Sequence, residues 1–283
     1  MRAEIFEVPL DLLTMDETVA RAAELIESGR PVQHVVINAG KVVMMHDDSG
    51  LRAIIAACDL VNADGQSIVW AGRLLGIPVP ERVAGIDLMD RLLALAAERG
   101  WPVYLLGARQ EVLDSCVSRI AERYPALSIA GARNGYFDDG AEVAAGIHSS
   151  GARLVFVGIS SPKKERFLSE HLPEMGPVFA MGVGGSFDVI AGLTRRAPEW
   201  TQRAGLEWFY RLLQEPLLAY IEEVAARRQP NETITIVVPQ FMPSKRWHNA
   251  LHMRTADVLR QELLTKHGVV VTDVPYHVHE EKE

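Results

Sequence analysis

Asp64 is the residue whose type and setting most plainly invite chemistry. It stands in Ala63-Asp64-Gly65, a tight turn between the apolar, strand-like run 58–61 and an apolar stretch, 67–75, that reads as a helix. A carboxylate at a strand end, beside a glycine and before a helix, can sit in the crevice of an open α/β sheet, where such sheets bind ligands. The rival reading is turn chemistry: Asp64 fills the turn or caps the helix, and Asp-Gly is common in both roles. The stretch closes on a loop holding Glu81, Arg82, Gly85 and Asp87. Arg82 has its own plain explanation, a surface ion pair with Glu81 or Asp87. Asn38 ends another apolar run and can donate a hydrogen bond or simply finish the strand in a turn. Gly107, Gly158 and the turn Gly182-Val183-Gly184-Gly185 each follow an apolar run. Glycines there let backbone amides approach a phosphate, or serve as plain turn residues.

Metal chemistry has little support. No Asp-x-Asp pair occurs, and the adjacent pairs Asp47-Asp48 and Asp138-Asp139 suit loops or helix starts. His248 and His252 stand four apart and could share a helix face. No carboxylate or third histidine is placed nearby, so neither a metal nor a cofactor is expected.

Short apolar runs alternate with amphipathic stretches and so supply the elements that must position these residues. Strands are expected over 32–37, 103–106, 127–132, 154–157 and 178–181. Helices are expected over about 14–28, 51–58, 87–99, 111–124, 141–148 and 162–171. The first opens on Thr14 with Glu17 three residues on, a capping-box signal, and Val19, Ala22, Ala23 and Ile26 would face inward. This rhythm implies βαβ units. The expected fold is α/β: a Rossmann-like, mostly parallel sheet with helices on both faces, followed by a small α/β C-terminal segment. Between them, residues 194–213 interleave Arg195, Arg196, Arg203 and Arg211 with Trp200, Trp208, Phe209 and Tyr210. Such a segment suits a membrane–water interface or a phosphorylated ligand, or is an ordinary amphipathic helix with its aromatics in the core.

Bulk properties narrow the class. The chain has 283 residues, 48% hydrophobic and 23% charged, enough to bury a core. Its formal net charge of −8 argues against nonspecific nucleic-acid binding. The two cysteines, Cys58 and Cys116, lie in apolar contexts and read as buried thiols in a reducing cytoplasm. The N-terminal residues carry early acids and no apolar run of signal-peptide type. No run of about 18 apolar residues suggests a membrane span. A dinucleotide oxidoreductase is disfavoured, because no Gly-x-Gly-x-x-Gly follows the first strand.

The block 62–88 resembles the signature of the WecG/TagA/CpsF bacterial glycosyltransferases, glycosyltransferase family 26. Further matches come in family order: the Asn38 region, Leu105-Leu106-Gly107-Ala108, Asn134-Gly135-Tyr136-Phe137, residues 158–165 and Gly182-Val183-Gly184-Gly185-Ser186-Phe187-Asp188. Together they span about residues 5–216. The resemblance implies transfer of an N-acetylmannosamine-type sugar from a UDP donor to a lipid-linked N-acetylglucosamine diphosphate, with inversion and without metal. By resemblance, Asp64 is the base that takes the acceptor proton, and Arg82 matches a family arginine that could steady the diphosphate. Asn38, Gly65, Asp87, Gly107, Gly158, Lys164, Gly184 and Gly185 would contact substrate. Arg195, Arg196, Arg203 and Arg211 would meet the diphosphate or the inner leaflet of the membrane. The protein would then be cytoplasmic, peripheral at the inner membrane face, and free to form a homo-oligomer.

The chain departs from that family in three places. Val36 stands where threonine is frequent, and Lys164 replaces a glutamine in Ser161-Pro162-Lys163-Lys164-Glu165. After Gln214-Glu215-Pro216 the family's arginine-rich appendage is missing. Residues 217–279 are instead similar to the soluble tail of amino-acid permeases of the APC superfamily. A glycosyltransferase domain over 1–216 and a permease-tail-like segment over 217–283 are therefore expected, with activity reduced if the junction is genuine. A catalytically impaired nucleotide-sugar-binding or interaction protein is the alternative.

Overall fold

The computed structural model describes residues 2–194. It opens on an antiparallel hairpin, β1 (Arg2–Ile5) and β2 (Val8–Asp11), turned by Phe6 and Glu7 at positive φ. Arg2 clamps Asp11 at 3.1 and 3.0 Å, and Asp11 accepts the Val61 N–H at 2.8 Å, which fastens the hairpin to the sheet. Helix α1 (Met15–Glu27) starts on the expected capping box. The Glu17 N–H bonds Thr14 Oγ1, and the Thr14 N–H bonds Glu17 Oε2 at 2.8 Å.

The βα units come next: β3 (Val32–Ile37), α2 (Ala39–Asp47), α3 (Ser49–Ala56), β4 (Leu60–Ala63), α4 (Gln66–Leu74) and α5 (Gly85–Arg99). Beyond them lie β5 (Val103–Gly107), α6 (Gln110–Arg123), β6 (Ile129–Arg133) and α7 (Gly140–Ser150). The last are β7 (Leu154–Gly158), α8 (Lys163–His171), a short 3-10 turn (Leu172–Met175), β8 (Phe179–Gly182) and α9 (Ser186–Ile190). Strands β3 to β8 form one parallel sheet in the order β4-β3-β8-β7-β5-β6. All six residues of β3 are buried, as a strand covered on both faces requires.

One face of the sheet packs α1, α5, α6 and α9 around Leu25, Leu88, Leu92, Leu113, Phe156, Phe179 and Phe187. The other packs α7 and α8 around Leu106, Val157, Phe167 and Leu168, and α2, α3 and α4 around Ile37, Met45, Ile55 and Ile68. The α/β, Rossmann-like reading therefore holds. Cys58 and Cys116 are buried free thiols, both pushed up to about 12 by burial.

Three local expectations shift. The hairpin β1–β2 is an addition. Strand β4 runs through Asn62 to Ala63 instead of stopping at Val61. The buried stripe of α1 is Thr18, Ala22, Leu25 and Ile26, with Val19 and Ala23 only partly covered. The stripe turns because Thr18 is wanted inside: its hydroxyl accepts from Asn62 Nδ2 at 3.1 Å.

Candidate active site

A parallel sheet collects the carboxyl ends of its strands along one edge. In spatial order that edge carries Asp64 after β4, Asn38 after β3, Gly184 and Gly185 after β8, Gly158 at the end of β7, Gly107 at the end of β5, and Asn134 after β6. Strands β5 and β7 are neighbours, yet α6 and α8 pack on opposite faces. The same is true of β3 and β8 with α2 and α9. Chain reversals of this kind open the crevice in which such sheets bind ligands.

At one end sits Asp64, half-buried. Its N–H bonds the Ile37 carbonyl at 2.8 Å, and its Oδ2 accepts the Gly85 N–H at 3.4 Å. Gly85 is the first residue of α5, so the positive end of that helix meets the carboxylate. The cap of α4 is Gly65, at φ 107° and without a side-chain bond. Asp64 therefore serves the start of α5 in space and leaves the cap of its own helix to glycine. A Cβ built on Gly85 would lie 3.8 Å from Asp64 Oδ2, 3.9 Å from Val36 and 4.0 Å from Met181. Three strands thus meet here, and Val36 makes one wall apolar.

Arg82 is delivered by the loop before α5. The Val83 N–H bonds the Ala63 carbonyl at 2.8 Å, which ties the residue after Arg82 to the one before Asp64. The neighbouring Glu81 is engaged elsewhere, accepting the Met15 N–H. Asn38 caps α2, its Oδ1 accepting from the Lys41 N–H at 2.9 Å. Asp87 lies in the first turn of α5 and lines a cavity of about 480 Å³ with Asp90, Arg119, Arg123 and Tyr124.

The middle of the edge is built from close backbone approach. Gly107 has φ 136°, and a Cβ there would lie 2.5 Å from the Gly158 carbonyl carbon. A Cβ on Gly158 would lie 2.6 Å from the Phe187 ring, and one on Gly135 would lie 3.1 Å from Gly107 Cα. Gly184, at φ 52°, has nothing within 4 Å and is open.

Lys164 is held inward. It crosses Gly182, and its Nζ donates to Ser161 Oγ and lies 3.3 Å from Glu165 Oε1. Glu165 Oε1 also accepts from Ser161 Oγ at 3.0 Å and from Lys41 Nζ at 2.8 Å. Lys41, Lys164 and Glu165 are 5%, 7% and 1% exposed, so two ammonium groups share one carboxylate out of water. Glu165 Oε2 is buried without a hydrogen-bond partner among the described residues. Burial pushes the Glu165 carboxyl up, but the two lysine charges and its hydrogen bonds outweigh this and hold it below its ordinary value. Burial, reinforced by Lys41, pulls Lys164 down to about 8 against the attraction of Glu165.

The structure thus gathers Asn38, Asp64, Gly65 and the Arg82 loop at one end of the edge, and Gly107, Gly158, Gly184 and Gly185 along it. Lys164 joins a buried cluster behind them. Arg195, Arg196, Arg203, Arg211 and the tail 217–283 lie outside the described residues. The partnership of Lys41 with Glu165, 124 residues apart, is not legible in the sequence. A lysine inside the apolar stretch 39–45 is its only signal. Among the described residues no three His, Cys, Asp or Glu side chains gather to hold a metal, and no helix is long and apolar enough to cross a membrane.

Comparison with known families accounts for both parts of the chain. The KimA potassium transporter C-terminal domain matches residues 204–276, in line with the permease-type tail. The glycosyl transferase model matches residues 3–222, the whole of the described sheet and most of the chain, and the protein accordingly belongs to the WecG/TagA/CpsF family of glycosyl transferases.

Proposed function

We propose that the protein moves an N-acetylmannosamine-type sugar from UDP to a polyprenyl-diphosphate-linked N-acetylglucosamine, in surface polysaccharide or teichoic acid synthesis. The observation that carries this reading is Asp64. It is half-buried at the carboxyl edge, faces the start of α5, and has an apolar wall beside it. In this reading Asp64 takes the proton from the acceptor hydroxyl. The freed oxygen attacks the anomeric carbon, the bond to the UDP oxygen breaks, and the configuration inverts. Arg82 steadies the charge growing on the departing diphosphate. Asn38, its oxygen spent on the cap of α2, offers its amide to the sugar, beside Gly65, while Asp87 binds substrate from the first turn of α5. Backbone amides at Gly107, Gly158, Gly184 and Gly185 receive the nucleotide. From β4 to β7 is three strand spacings, roughly 14 Å at about 4.8 Å each. A nucleotide joined through a diphosphate to a sugar can bridge such a span. The surplus positive charge of Lys41 and Lys164 favours the diphosphate from behind, and no metal takes part.

Arg195, Arg196, Arg203 and Arg211 belong to this proposal as diphosphate or membrane contacts, with the protein peripheral on the inner leaflet. A second reading has its own support, because the transporter-type match begins at 204, inside the glycosyl transferase match. In that reading the tail displaces the family appendage and leaves a nucleotide-sugar binder without turnover.

One assay separates the two. The full chain is incubated with chelator, UDP-N-acetylmannosamine and a short-chain lipid-linked N-acetylglucosamine diphosphate, and UDP release is measured. Release is expected, and Asp64→Asn should lower it by about a hundredfold or more while UDP binding and fold persist. Turnover at wild-type rate in that variant would remove Asp64 as the base. Binding without release in the wild type would favour the impaired binder.

A further inference from the structure

The charges of the Lys41, Lys164 and Glu165 cluster do not cancel. Glu165 meets both lysines through Oε1, at 2.8 Å from Lys41 Nζ and 3.3 Å from Lys164 Nζ, and Ser161 Oγ donates to the same atom at 3.0 Å. Its Oε2 is buried without a hydrogen-bond partner among the described residues. Two ammonium groups therefore crowd one oxygen of one carboxylate, all of it out of water. A buried charge needs a counter-charge or gives up its proton. The elements packed on α8 supply no second carboxylate. Asp48 is held by Arg166, Glu7 by Arg52, Glu142 by Arg133 and Glu174 by His171. Asp47 and Glu170 are exposed, as are His46, His148 and Lys163. His34 and Cys58 lie within the field of Lys41, but burial keeps the ring and the thiol neutral. Among the described residues, Lys41 and Glu165 are the charges that act on Lys164.

The course of Lys164 says where the missing counter-charge belongs. Its side chain crosses Gly182, the last residue of β8, where a Cβ would lie 2.7 Å from Lys164 Cδ and Cε. In the sheet, β8 stands between β3 and β7. A donor with its nucleotide at Gly158 on β7 and its sugar near Asn38 and Asp64 must carry its diphosphate across the end of β8. The anion then sits where the cluster lacks one.

We infer that the donor's diphosphate binds together with a proton, taken up from solvent by Lys164 Nζ, so that Lys164 sets how donor affinity changes with pH. The identity of the anion rests on the UDP-sugar proposed above; the proton linkage is read from binding, without turnover. In the empty protein burial, reinforced by Lys41, pulls Lys164 down to about 8. A diphosphate at the end of β8 raises it again. Below about 8 the lysine already holds its proton; above it the amine must be recharged on binding, so affinity falls as the pH rises. His34, at about 4, and Cys58, at about 12, titrate outside that range.

The test is calorimetry of the full chain with UDP-N-acetylmannosamine, without acceptor, in two buffers of unlike ionisation heat. At about pH 8.5 the wild type should take up roughly half a proton or more, and its affinity should fall about tenfold between about pH 7 and about pH 9. Lys164→Gln keeps a polar head for Ser161. It should bind more weakly near pH 7, take up no proton, and approach the wild-type affinity at alkaline pH, a convergence that mere loss of structure would not produce. Wild-type binding without proton uptake, or undiminished uptake in a folded Lys164→Gln, would overturn the inference and leave the transferase reading standing. If neither UDP-N-acetylmannosamine nor UDP binds, the donor reading fails, and sulfate, which carries no proton in this range, takes their place. The Lys164 signal, assigned in carbon NMR of labelled lysine by its absence from Lys164→Gln, should then titrate higher with sulfate than without. A Lys164 that ignores sulfate, or that titrates like an exposed lysine in the empty protein, would overturn the inference too.

Discussion

His34 is a titratable ring kept neutral by its surroundings. It lies in the middle of β3, 1% exposed, stacked on Phe179. Its Nε2 meets Asn62 Oδ1 at 3.0 Å, Asn62 Nδ2 donates to Thr18 Oγ1 at 3.1 Å, and Thr18 donates to the Thr14 carbonyl at 2.7 Å. This chain ties β3, β4 and the start of α1 beneath the Asp64 corner. Nδ1 is buried without a partner among the described residues. Burial drives the ring's pKa down from 6.5 to about 4, with the charge of Lys41 adding to it and the bond to Asn62 opposing it. An unfolded histidine takes its proton near 6.5. Between that value and about 4 the unfolded chain binds more protons, so the His34 contribution is complete above 6.5 and drains away as the pH falls through 4. The loss amounts to a few kcal/mol. Urea unfolding of wild type and His34→Gln at about pH 7 and about pH 4.5 checks it. The wild type should lose more stability on acidification than the variant; equal losses would mean that His34 is not the group being titrated.

The β5 and β7 ends show what an element requires of single residues. Gly107 and Gly158 pair in register; a Cβ on Gly107 would strike the Gly158 backbone and one on Gly158 the buried Phe187 ring, so neither strand end admits a side chain. Gly107→Ala should cost about 2 kcal/mol or more and weaken UDP binding, because φ is 136° and the methyl has no room. Gly184→Ala is the control: φ is 52° and the space is open, so only the backbone cost of about 1 kcal/mol remains. Chemical denaturation of both variants decides it, and equal costs would argue that the close approach is not what confines Gly107. These elements also show where sequence was informative. The buried strands announced themselves as valine- and leucine-rich runs, and the Thr14–Glu17 box fixed the start of α1. Strand-end glycines marked the edge: at Gly107 and Gly158 close packing excludes a side chain, while Gly184 is set apart by its positive φ alone. Hairpin β1–β2 gave no such signal, since its turn uses Phe6 and Glu7 at positive φ where Asn-Gly would be the readable pair. The Lys41–Glu165 contact was hidden for another reason: periodicity reports which face a residue occupies and is silent about partners far along the chain. Lys164 turns inward to Ser161 and to the same carboxylate, and periodicity is equally silent about that.

At the scale of the whole molecule the question is whether the described sheet needs the C-terminal third of the chain. Within residues 2–194 each face of the sheet already has its helices, and Phe156, Phe179 and Phe187 are closed in by them. The glycosyl transferase match ends at 222 and the transporter-type match starts at 204, so the two meet in a short overlap. We propose a glycosyl transferase domain over 1–216 and an appended segment over 217–283. A chain cut after residue 229 should then stay soluble, unfold cooperatively in urea, and keep UDP binding within about threefold, because the nucleotide residues all precede 186. Its turnover reads a different quantity. If the arginines of 195–211 suffice for the diphosphate, the fragment turns over like the full chain. If the appended segment obstructs the acceptor side, the fragment turns over faster. Aggregation of the fragment, with loss of its cooperative transition, would overturn the division, since it would mean that the transporter-type segment completes the core.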